Sequence, residues 1–217
     1  MVVHDMLGRT APTARRQIRS LRFAAQGFLD VILKADELLR ASAANDEDAQ
    51  GTLQRARKRK RQAGLEDWIA AKRDEFPAEH NAKLARRHHA WLRELLRASR
   101  DSAAGALLQL AKETLSVHLG KPGVKAPPGR MIGRVSLKDV ICSARNQSVH
   151  WDERPHKETR RVFALLAQEH GEVFDLERGA TRNRAYECVR LLGWTSYERY
   201  ERDIASFINV QPSRLGD

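Results

Sequence analysis

Residues 13–43 read TARRQIRSLRFAAQGFLDVILKADELLRASA, and this stretch decides the fold class. Its apolar residues recur at intervals of three and four, which is the spacing of one face of an α-helix. The members of this face are Ile18, Leu21, Ala25, Phe28, Ile32, Ala35 and Leu39. No stretch of the chain alternates apolar and polar residues as a half-buried strand does. The sequence therefore predicts a long amphipathic helix here and an all-α protein overall.

The stretch that follows, residues 44–63, predicts a loop or a frayed helix end. It begins with the acidic run Asp46, Glu47 and Asp48 and ends with six basic residues among the seven from Arg55 to Arg61. Helical spacing resumes after Gly64 with Leu65, Trp68 and Ile69. Pro77 then predicts a kink or a new helix start, because proline removes a backbone hydrogen bond from a helix interior.

The next predicted helices lie on either side of a loop. Asp101 or Ser102 can cap a helix that carries Leu107, Leu108, Ala111 and Leu115. Residues 120–134, GKPGVKAPPGRMIGR, hold seven Gly or Pro residues, four basic residues and no acid, which predicts a basic loop. This loop lacks the order of a phosphate-binding P-loop and is interpreted as a linker. We therefore divide the chain into a long-helix half, residues 1–119, this loop, and a second helical half, residues 135–217.

The second half contains four short predicted helices. Ser136 begins the first, with Asp139 three residues later as in a capping box. Others are predicted at about 157–170 and 182–193, and the last follows a capping box from Thr195 to Glu198. Most of the tryptophans and tyrosines are interpreted as core anchors.

The net charge gives the first indication of function. Thirty-nine Lys and Arg residues against 28 Asp and Glu residues give a formal charge of +11. A surface this positive attracts polyanions, which favours a nucleic acid as partner, although a basic solvated surface without such a partner has the same composition. The sequence contains neither an apolar run long enough to span a membrane nor the pattern of a secretion signal. With only two cysteines, Cys142 and Cys188, it favours a cytoplasmic protein.

The segment CSARNQSVHWDE, residues 142–153, is the part of the sequence with the most specific chemistry. On a helix, Asn146 and His150 share a face that is separate from the apolar residues, whereas Arg145 lies about 140° away from His150. Histidine can exchange protons with a ribose 2′-OH or a leaving 5′-oxygen, and arginine offers paired donors to a phosphate. Asparagine can orient the imidazole or bind a phosphate oxygen. These residues predict RNA chemistry, but one helix cannot surround a phosphate.

The segment from Arg145 to His150, RNQSVH, resembles the Rx4-6H signature of HEPN-domain proteins, which are all-helical ribonucleases of toxin, phage-defence and RNA-processing systems. The resemblance covers six positions, and around them only the helical pattern is similar. It implies a bundle with long antiparallel helices, Arg145 as phosphate ligand, Asn146 as supporting polar residue and His150 as the proton-transfer group. It also implies a homodimer in which two motifs form one cleft that needs no metal or other cofactor.

Further residues are predicted to bind RNA through their charge or by stacking. They are Arg57, Lys58, Arg59 and Lys60 of the basic run, Lys121, Lys125, Arg130 and Arg134 of the basic loop, and Trp151 as a base-stacking group beside His150. The basic run also fits a nuclear-localisation signal or a solvated charge run. A metal site at His150, His156 and Cys142, or at His88 and His89, has no supporting ligand spacing, and His88 is expected to be buried.

Three functions remain open from sequence. The leading prediction is a metal-independent endoribonuclease, acting as a toxin or defence effector and partnered by RNA and by an antitoxin or regulatory protein. The second is a non-catalytic helical module that binds nucleic acid or protein. The third is a regulatory subunit whose basic face binds an acidic protein.

Overall fold

A computed structural model of the chain describes residues 3–119, 126–179 and 182–208. These residues are almost entirely helical, which confirms the all-α prediction. None of the described helices is long and apolar enough to cross a membrane. In chain order, the elements are α1 (Val3–Gln62), α2 (Leu65–Leu119), β1 (Met131–Ile132), β2 (Val135–Ser136), α3 (Leu137–Val149), α4 (Lys157–His170), two 3-10 turns (Glu172–Phe174 and Glu177–Gly179), α5 (Ala185–Leu191) and α6 (Tyr197–Ile208).

Helix α1 continues through residues 44–62, so the predicted loop or frayed end in this stretch is wrong. Small and apolar residues keep one face of the helix suited to packing: Leu53 and Ala56 are buried against Ala78 and Ala82 of α2. The basic residues Arg59–Arg61 occupy the last turn, where positive charge interacts favourably with the helix dipole. Packing and this end effect together outweigh the unfavourable local charge pattern.

Helix α2 is also continuous, so the new helix starts predicted as one alternative at Pro77 and at Asp101 or Ser102 are wrong, while the other alternative at Pro77, a kink, stays a prediction. Proline costs the helix one backbone hydrogen bond. Ala78 and Ala82, which directly follow Pro77, are buried against α1, and this contact favours a helical backbone on both sides of the proline.

The predicted basic loop contains a small hairpin. Residues 120–125, among them Lys121 and Lys125, lie outside the described residues. Beyond them, β1 pairs antiparallel with β2, with Met131 opposite Ser136. Gly133 in the turn has a φ of 57°, a conformation that favours glycine. The strands end where Ser136 caps α3 by accepting a hydrogen bond from the Asp139 N–H at 3.2 Å, which confirms the predicted cap.

By its internal contacts the chain divides into two compact units. Unit 1 comprises Met1–Ile32 and Arg100–Asp217, and unit 2 comprises Leu33–Ser99. Residues 100–119 of α2 thus belong with the motif-bearing half rather than with the long-helix half, 1–119, that the sequence suggested. The described part of the basic loop, residues 126–134, lies within unit 1.

Unit 1 has a core of large apolar side chains. It includes Leu29, Leu107, Leu108, Leu137, Ile141, Phe163, Leu166, Val189, Trp194, Tyr200 and Phe207. Helix α4 has the predicted bounds, whereas α5 is shorter than the predicted 182–193. Trp194 and Tyr200 are core anchors as predicted, and their rings meet edge to face at 4.9 Å. Trp151 is 42% exposed, so its indole is accessible for the predicted stacking on a base.

Unit 2 is an antiparallel pair formed by the parts of α1 and α2 that it contains. Gln50 Nε2 donates to the Ala82 carbonyl oxygen at 3.0 Å, and His89 Nδ1 lies 3.2 Å from Ser42 Oγ. Trp68 and Trp91 are exposed, so the prediction that they anchor a core is wrong. His88 is exposed as well, rather than buried, and stacks on Trp91.

Candidate functional site

The motif residues lie at the C-terminal end of α3. His150 is the C-cap of this helix, and its backbone N–H donates to the Asn146 carbonyl oxygen at 3.1 Å. The side chains of Asn146 and His150 line one cleft together with Glu153, His156 and Thr159. The prediction that Asn146 and His150 share a face is therefore confirmed.

Glu153 is the hydrogen-bonding partner of the His150 imidazole. Its Oε1 lies 3.0 Å from His150 Nδ1. A turn brings the two together, since the Glu153 N–H donates to the His150 carbonyl oxygen at 3.2 Å. A carboxylate at this position favours the proton on Nδ1 and fixes the orientation of the ring. Nε2 is then the ring nitrogen that can accept a proton from a bound molecule.

Arg145 lines a different depression from His150. Its Nε donates to Gln109 Oε1 of α2, and its Nη1 lies 3.3 Å from Asn146 Oδ1. The depression also includes Trp151 and Asn183. Within one copy of the chain, the structure brings Asn146 together with each of the other motif residues but does not place Arg145 and His150 in the same cleft.

Helix α2 supplies a second positive charge to the motif. Lys112 Nζ lies 3.5 Å from Asn146 Oδ1, so this amide oxygen faces both Lys112 and Arg145. The two helices pack against each other at Gly105, where a Cβ would lie at van der Waals distance, 3.4 Å, from the Ser148 side chain. The Asn146 oxygen thus marks a point where two cations converge.

Gln147, inside the motif, holds the segment before α5 against α3. Its side chain is buried, with Nε2 donating to the Arg182 carbonyl oxygen at 2.7 Å and Oε1 accepting from the Arg184 N–H at 2.8 Å. Between these two residues, Asn183 Oδ1 accepts from the Ala185 N–H at 2.8 Å at the start of α5. Gln147 therefore has a positioning role: it holds Asn183 at the edge of the depression that Arg145 lines.

The two recesses differ greatly in size. The cleft at His150 has room for about 10 Å³, close to the space of one water molecule. The depression at Arg145 has about 440 Å³, which lies within the range of small-molecule sites. The depression at Arg145 is open to solvent, so it is wider than the cleft at His150 but does not enclose a ligand in one copy.

Two of the predicted RNA-binding arginines are engaged within unit 1. Arg130 donates to both carboxylate oxygens of buried Asp203 at 2.8 Å and to the Leu192 carbonyl oxygen at 2.7 Å, and the Asp203 hydrogen bond raises the pKa of Arg130. Arg134 bonds Glu169 and lowers the pKa of that carboxyl group by hydrogen bonding. Arg130 and Arg134 thus each have a carboxylate partner within unit 1, and their binding to phosphates stays a prediction.

The predicted basic run lies on α1 in unit 2. Arg57 and Lys60 form ion pairs with Glu75 of α2, the first at 3.5 Å. Lys58 and Arg59 are exposed. Arg57 and Lys60, two of the four residues of this run that are predicted to bind RNA, therefore share one carboxylate partner, which neutralises part of their charge.

The cysteines are not activated thiols. Cys142 is partly buried and Cys188 fully buried, and burial raises the pKa of both. Nothing in their surroundings outweighs this effect, whereas a reactive cysteine requires a lowered pKa. Among the described residues, no three His, Cys, Asp or Glu side chains are grouped as a metal site would require.

Sequence reasoning did not identify Glu153, Lys112 or Gln109 as site residues. Glu153 had a local signal, because an acid three residues after a histidine can reach its imidazole across one turn. Lys112 and Gln109 had none, since they are more than 30 residues away in sequence and reach the motif only through the packing of α2 on α3.

The chain matches no known family model, no curated protein and no solved structure. The assignment of the candidate site therefore depends on the geometry of its own residues.

Proposed function

We propose that the chain is a metal-independent endoribonuclease that cuts RNA by attack of a ribose 2′-OH on the adjacent phosphate. The observation that supports this best is the hydrogen bond between His150 Nδ1 and Glu153 Oε1. It orients the imidazole and leaves Nε2 to take the proton of the 2′-OH, or to return one to the leaving 5′-oxygen. An exposed histidine held in this way is the arrangement that general acid-base chemistry on RNA needs.

The scissile phosphate binds near Asn146 in this proposal. Lys112 and Arg145 converge on the amide oxygen of Asn146, so a phosphate oxygen brought there meets two cationic donors. Charge builds up on the phosphate oxygens in the transition state, where such donors contribute most. Arg145 and Lys112 would then stabilise the transition state while His150 moves protons.

A base next to the scissile phosphate occupies the depression at Arg145. Trp151 offers an exposed indole face at its edge, and Asn183 lies in its lining. Stacking on an aromatic ring contributes about 1–3 kcal/mol per base without requiring a particular sequence. Trp151 is therefore assigned the role of a base-stacking residue.

The complete cleft is formed by two copies of the chain, as the resemblance to HEPN-domain proteins implies. Since Arg145 and His150 line different recesses in one copy, a second motif would supply the missing partner of each. A toxin or defence effector of this kind is controlled by an antitoxin or regulatory protein, and it acts in the cytoplasm.

The test is cleavage of total RNA by the purified full chain with and without EDTA. His150→Ala and Arg145→Ala should each lower the rate by about 10²- to 10⁴-fold. Glu153→Gln should lower it less, because the imidazole remains. His156→Ala is the matched control, since its ring lies in the same cleft at 6.5 Å from His150 but has no proton-transfer role in this proposal. Products should carry a 2′,3′-cyclic phosphate, and DNA should remain intact.

Cleavage that requires magnesium, or that persists in both the His150→Ala and Arg145→Ala variants, would refute this mechanism. An equal loss of rate in His156→Ala would remove the distinct role of His150.

The separation of Arg145 and His150 into two recesses favours a second candidate, a non-catalytic RNA-binding module. In that case the wild-type chain binds RNA without cutting it, and Trp151→Ala weakens binding while His150→Ala does not. Binding and cleavage measured on the same labelled RNA distinguish the two functions.

A further inference from the structure

Asn183 lines the depression beside Arg145, and the orientation of its amide group is fixed by the backbone. Its Oδ1 accepts a hydrogen bond from the Ala185 N–H at 2.8 Å. A backbone N–H can only donate, so the atom that faces it is the amide oxygen and not the amide nitrogen. The NH2 group of Asn183 is therefore the end of the amide that remains for another molecule. Within the part of the chain that the structure describes, Nδ2 makes no hydrogen bond, and the residue is partly exposed.

The segment that carries Asn183 is held from both sides by Gln147. The Gln147 side chain is 3% exposed and bonds the backbone of Arg182 at 2.7 Å and that of Arg184 at 2.8 Å. Because both bonds go to backbone atoms, they constrain residues 182–184 whatever their side chains do. A donor that is fixed before a ligand arrives loses little conformational freedom on binding. Asn183 thus presents a preorganised donor at the depression.

Three other polar side chains of the lining already have partners within the chain. Gln109 Oε1 accepts from Arg145, and Ser148 Oγ donates to the Arg145 carbonyl oxygen at 2.8 Å. Asp101 forms an ion pair with Arg100, with 3.9 Å between Oδ1 and Nε. These contacts reduce what each of the three groups can offer to a ligand, whereas the NH2 group of Asn183 keeps its donors.

A fixed donor distinguishes two classes of base. Uracil and guanine have a carbonyl oxygen at the position where cytosine and adenine have an amino group. The carbonyl oxygen accepts a hydrogen bond from an amide NH2, whereas the amino group only sets a second donor against it. We propose that the depression beside Arg145 selects a keto base, uracil or guanine, next to the scissile phosphate. Trp151 stacks on this base, and Asn183 is the specificity-determining residue that reads its edge.

The choice of an RNA base as ligand rests on the proposed function, but the selection can be measured without cleavage. The probes are nucleoside 3′-monophosphates in two pairs, uridine with cytidine and inosine with adenosine. Inosine has the carbonyl group of guanine without its 2-amino group. In at least one pair the keto nucleotide should bind the full chain about three- to tenfold more tightly, which corresponds to one hydrogen bond. Quenching of Trp151 fluorescence reports binding, and Trp151→Phe should lose this signal.

Asn183→Asp should reverse the preference. Aspartate keeps an acceptor for the Ala185 N–H but replaces the NH2 donor by a second acceptor, which favours the amino bases. Its negative charge lowers the affinity for every nucleotide, so the ratio of affinities within a pair is compared. Asn81→Asp is the matched control, because it makes the same change at an exposed position of α2 in unit 2 and should leave both ratios unchanged. Circular dichroism verifies that both variants remain helical.

A DNA strand with a single ribonucleotide tests the same selection during cleavage, because only that ribose has a 2′-OH. In the pair that shows the binding preference, the keto ribonucleotide should be cut faster, and Asn183→Asp should reverse the order. Nucleotides that bind with this preference while no strand is cut would leave the base selection standing and refute the ribonuclease. Cleavage at equal rates for both members of each pair would do the opposite.

Three binding results would overturn the base selection. They are no binding of any of the four nucleotides at millimolar concentration, equal affinities within both pairs, and a ratio that Asn183→Asp does not change. A change of the ratio in Asn81→Asp as large as that in Asn183→Asp would also overturn it, since the effect would then come from the added charge.

Discussion

Unit 1 buries Phe163, Phe207 and Trp194 almost completely, whereas the contact between the two helices of unit 2 is formed by Ala56, Ala78, Ala82 and Leu53. Most of the large apolar side chains of α2 within unit 2 lie outside this contact and are exposed, among them Leu65, Ile69, Phe76, Leu84, Trp91 and Leu95. Because stabilisation scales with buried apolar area, the same length of helix contributes much less internal stability in unit 2. The comparison shows that one continuous helix can pack on a large apolar core in one unit and on a narrow, alanine-rich contact in another.

The largest effect expected from this contrast comes from truncating a phenylalanine in each unit. Phe163→Ala in unit 1 should lower the free energy of unfolding by about 3–5 kcal/mol, because it leaves a cavity. Phe76→Ala in unit 2 should change it by less than about 0.5 kcal/mol at concentrations where the chain is monomeric. Urea unfolding followed by circular dichroism measures both values, and equal losses would show that unit 2 has a core of comparable strength.

The next largest effect on the free energy of unfolding is expected from the ion pair of Asp203 in unit 1, compared with the ion pairs of Glu75 in unit 2. Asp203→Ala should cost about 3 kcal/mol, since it leaves Arg130 without its carboxylate and the buried Trp194 indole N–H without its acceptor. Glu75→Ala should cost less than about 1 kcal/mol, because its partners Arg57 and Lys60 are about half and one third exposed and can be hydrated when the carboxylate is removed. Asp203→Asn, which retains an acceptor, is the control and should lose less than Asp203→Ala. A larger loss for Glu75→Ala than for Asp203→Ala would contradict this ranking.

A smaller effect, of opposite sign, is expected at Pro77. Alanine there restores the missing backbone donor in the middle of α2. We expect a gain of about 2 kcal/mol, which is the roughly 3 kcal/mol cost of proline in a helix less about 1 kcal/mol for the entropy that proline removes from the unfolded chain. Hydrogen exchange should slow for amides of unit 2. A loss of stability in Pro77→Ala would mean that α2 needs the proline for its local geometry.

The sequence was a good guide wherever local rules and packing agree. The apolar spacing of α1, the Ser136 cap and the bounds of α4 follow from residues near in sequence, and all three are present. It was misleading over residues 44–62 and in allowing a new helix start at Pro77, because the contact between α1 and α2 overrides a local penalty there. The same contact is invisible in the periodicity of either helix taken alone.

The candidate site shows the same division between local and non-local information. Asn146 and His150 were predicted to share a face because they lie four residues apart on one helix, and they do. Lys112 and Gln109 come from another helix, so no pattern within the motif could indicate them. Arg130 was assigned to RNA on charge alone, and its buried partner Asp203 lies 73 residues later in the chain.

The four tryptophans are distributed so that the chain carries its own fluorescent reporters. Trp194 is surrounded by the core of unit 1 and should emit at short wavelength, while the three exposed indoles should emit at long wavelength and be accessible to iodide. Trp91, which is 61% exposed, is placed to report on solvent access to α2 in unit 2, and Trp151 on occupation of the depression beside Arg145. With phenylalanine at the other three positions, each remaining indole becomes a spectroscopic label for a single event without any attached dye.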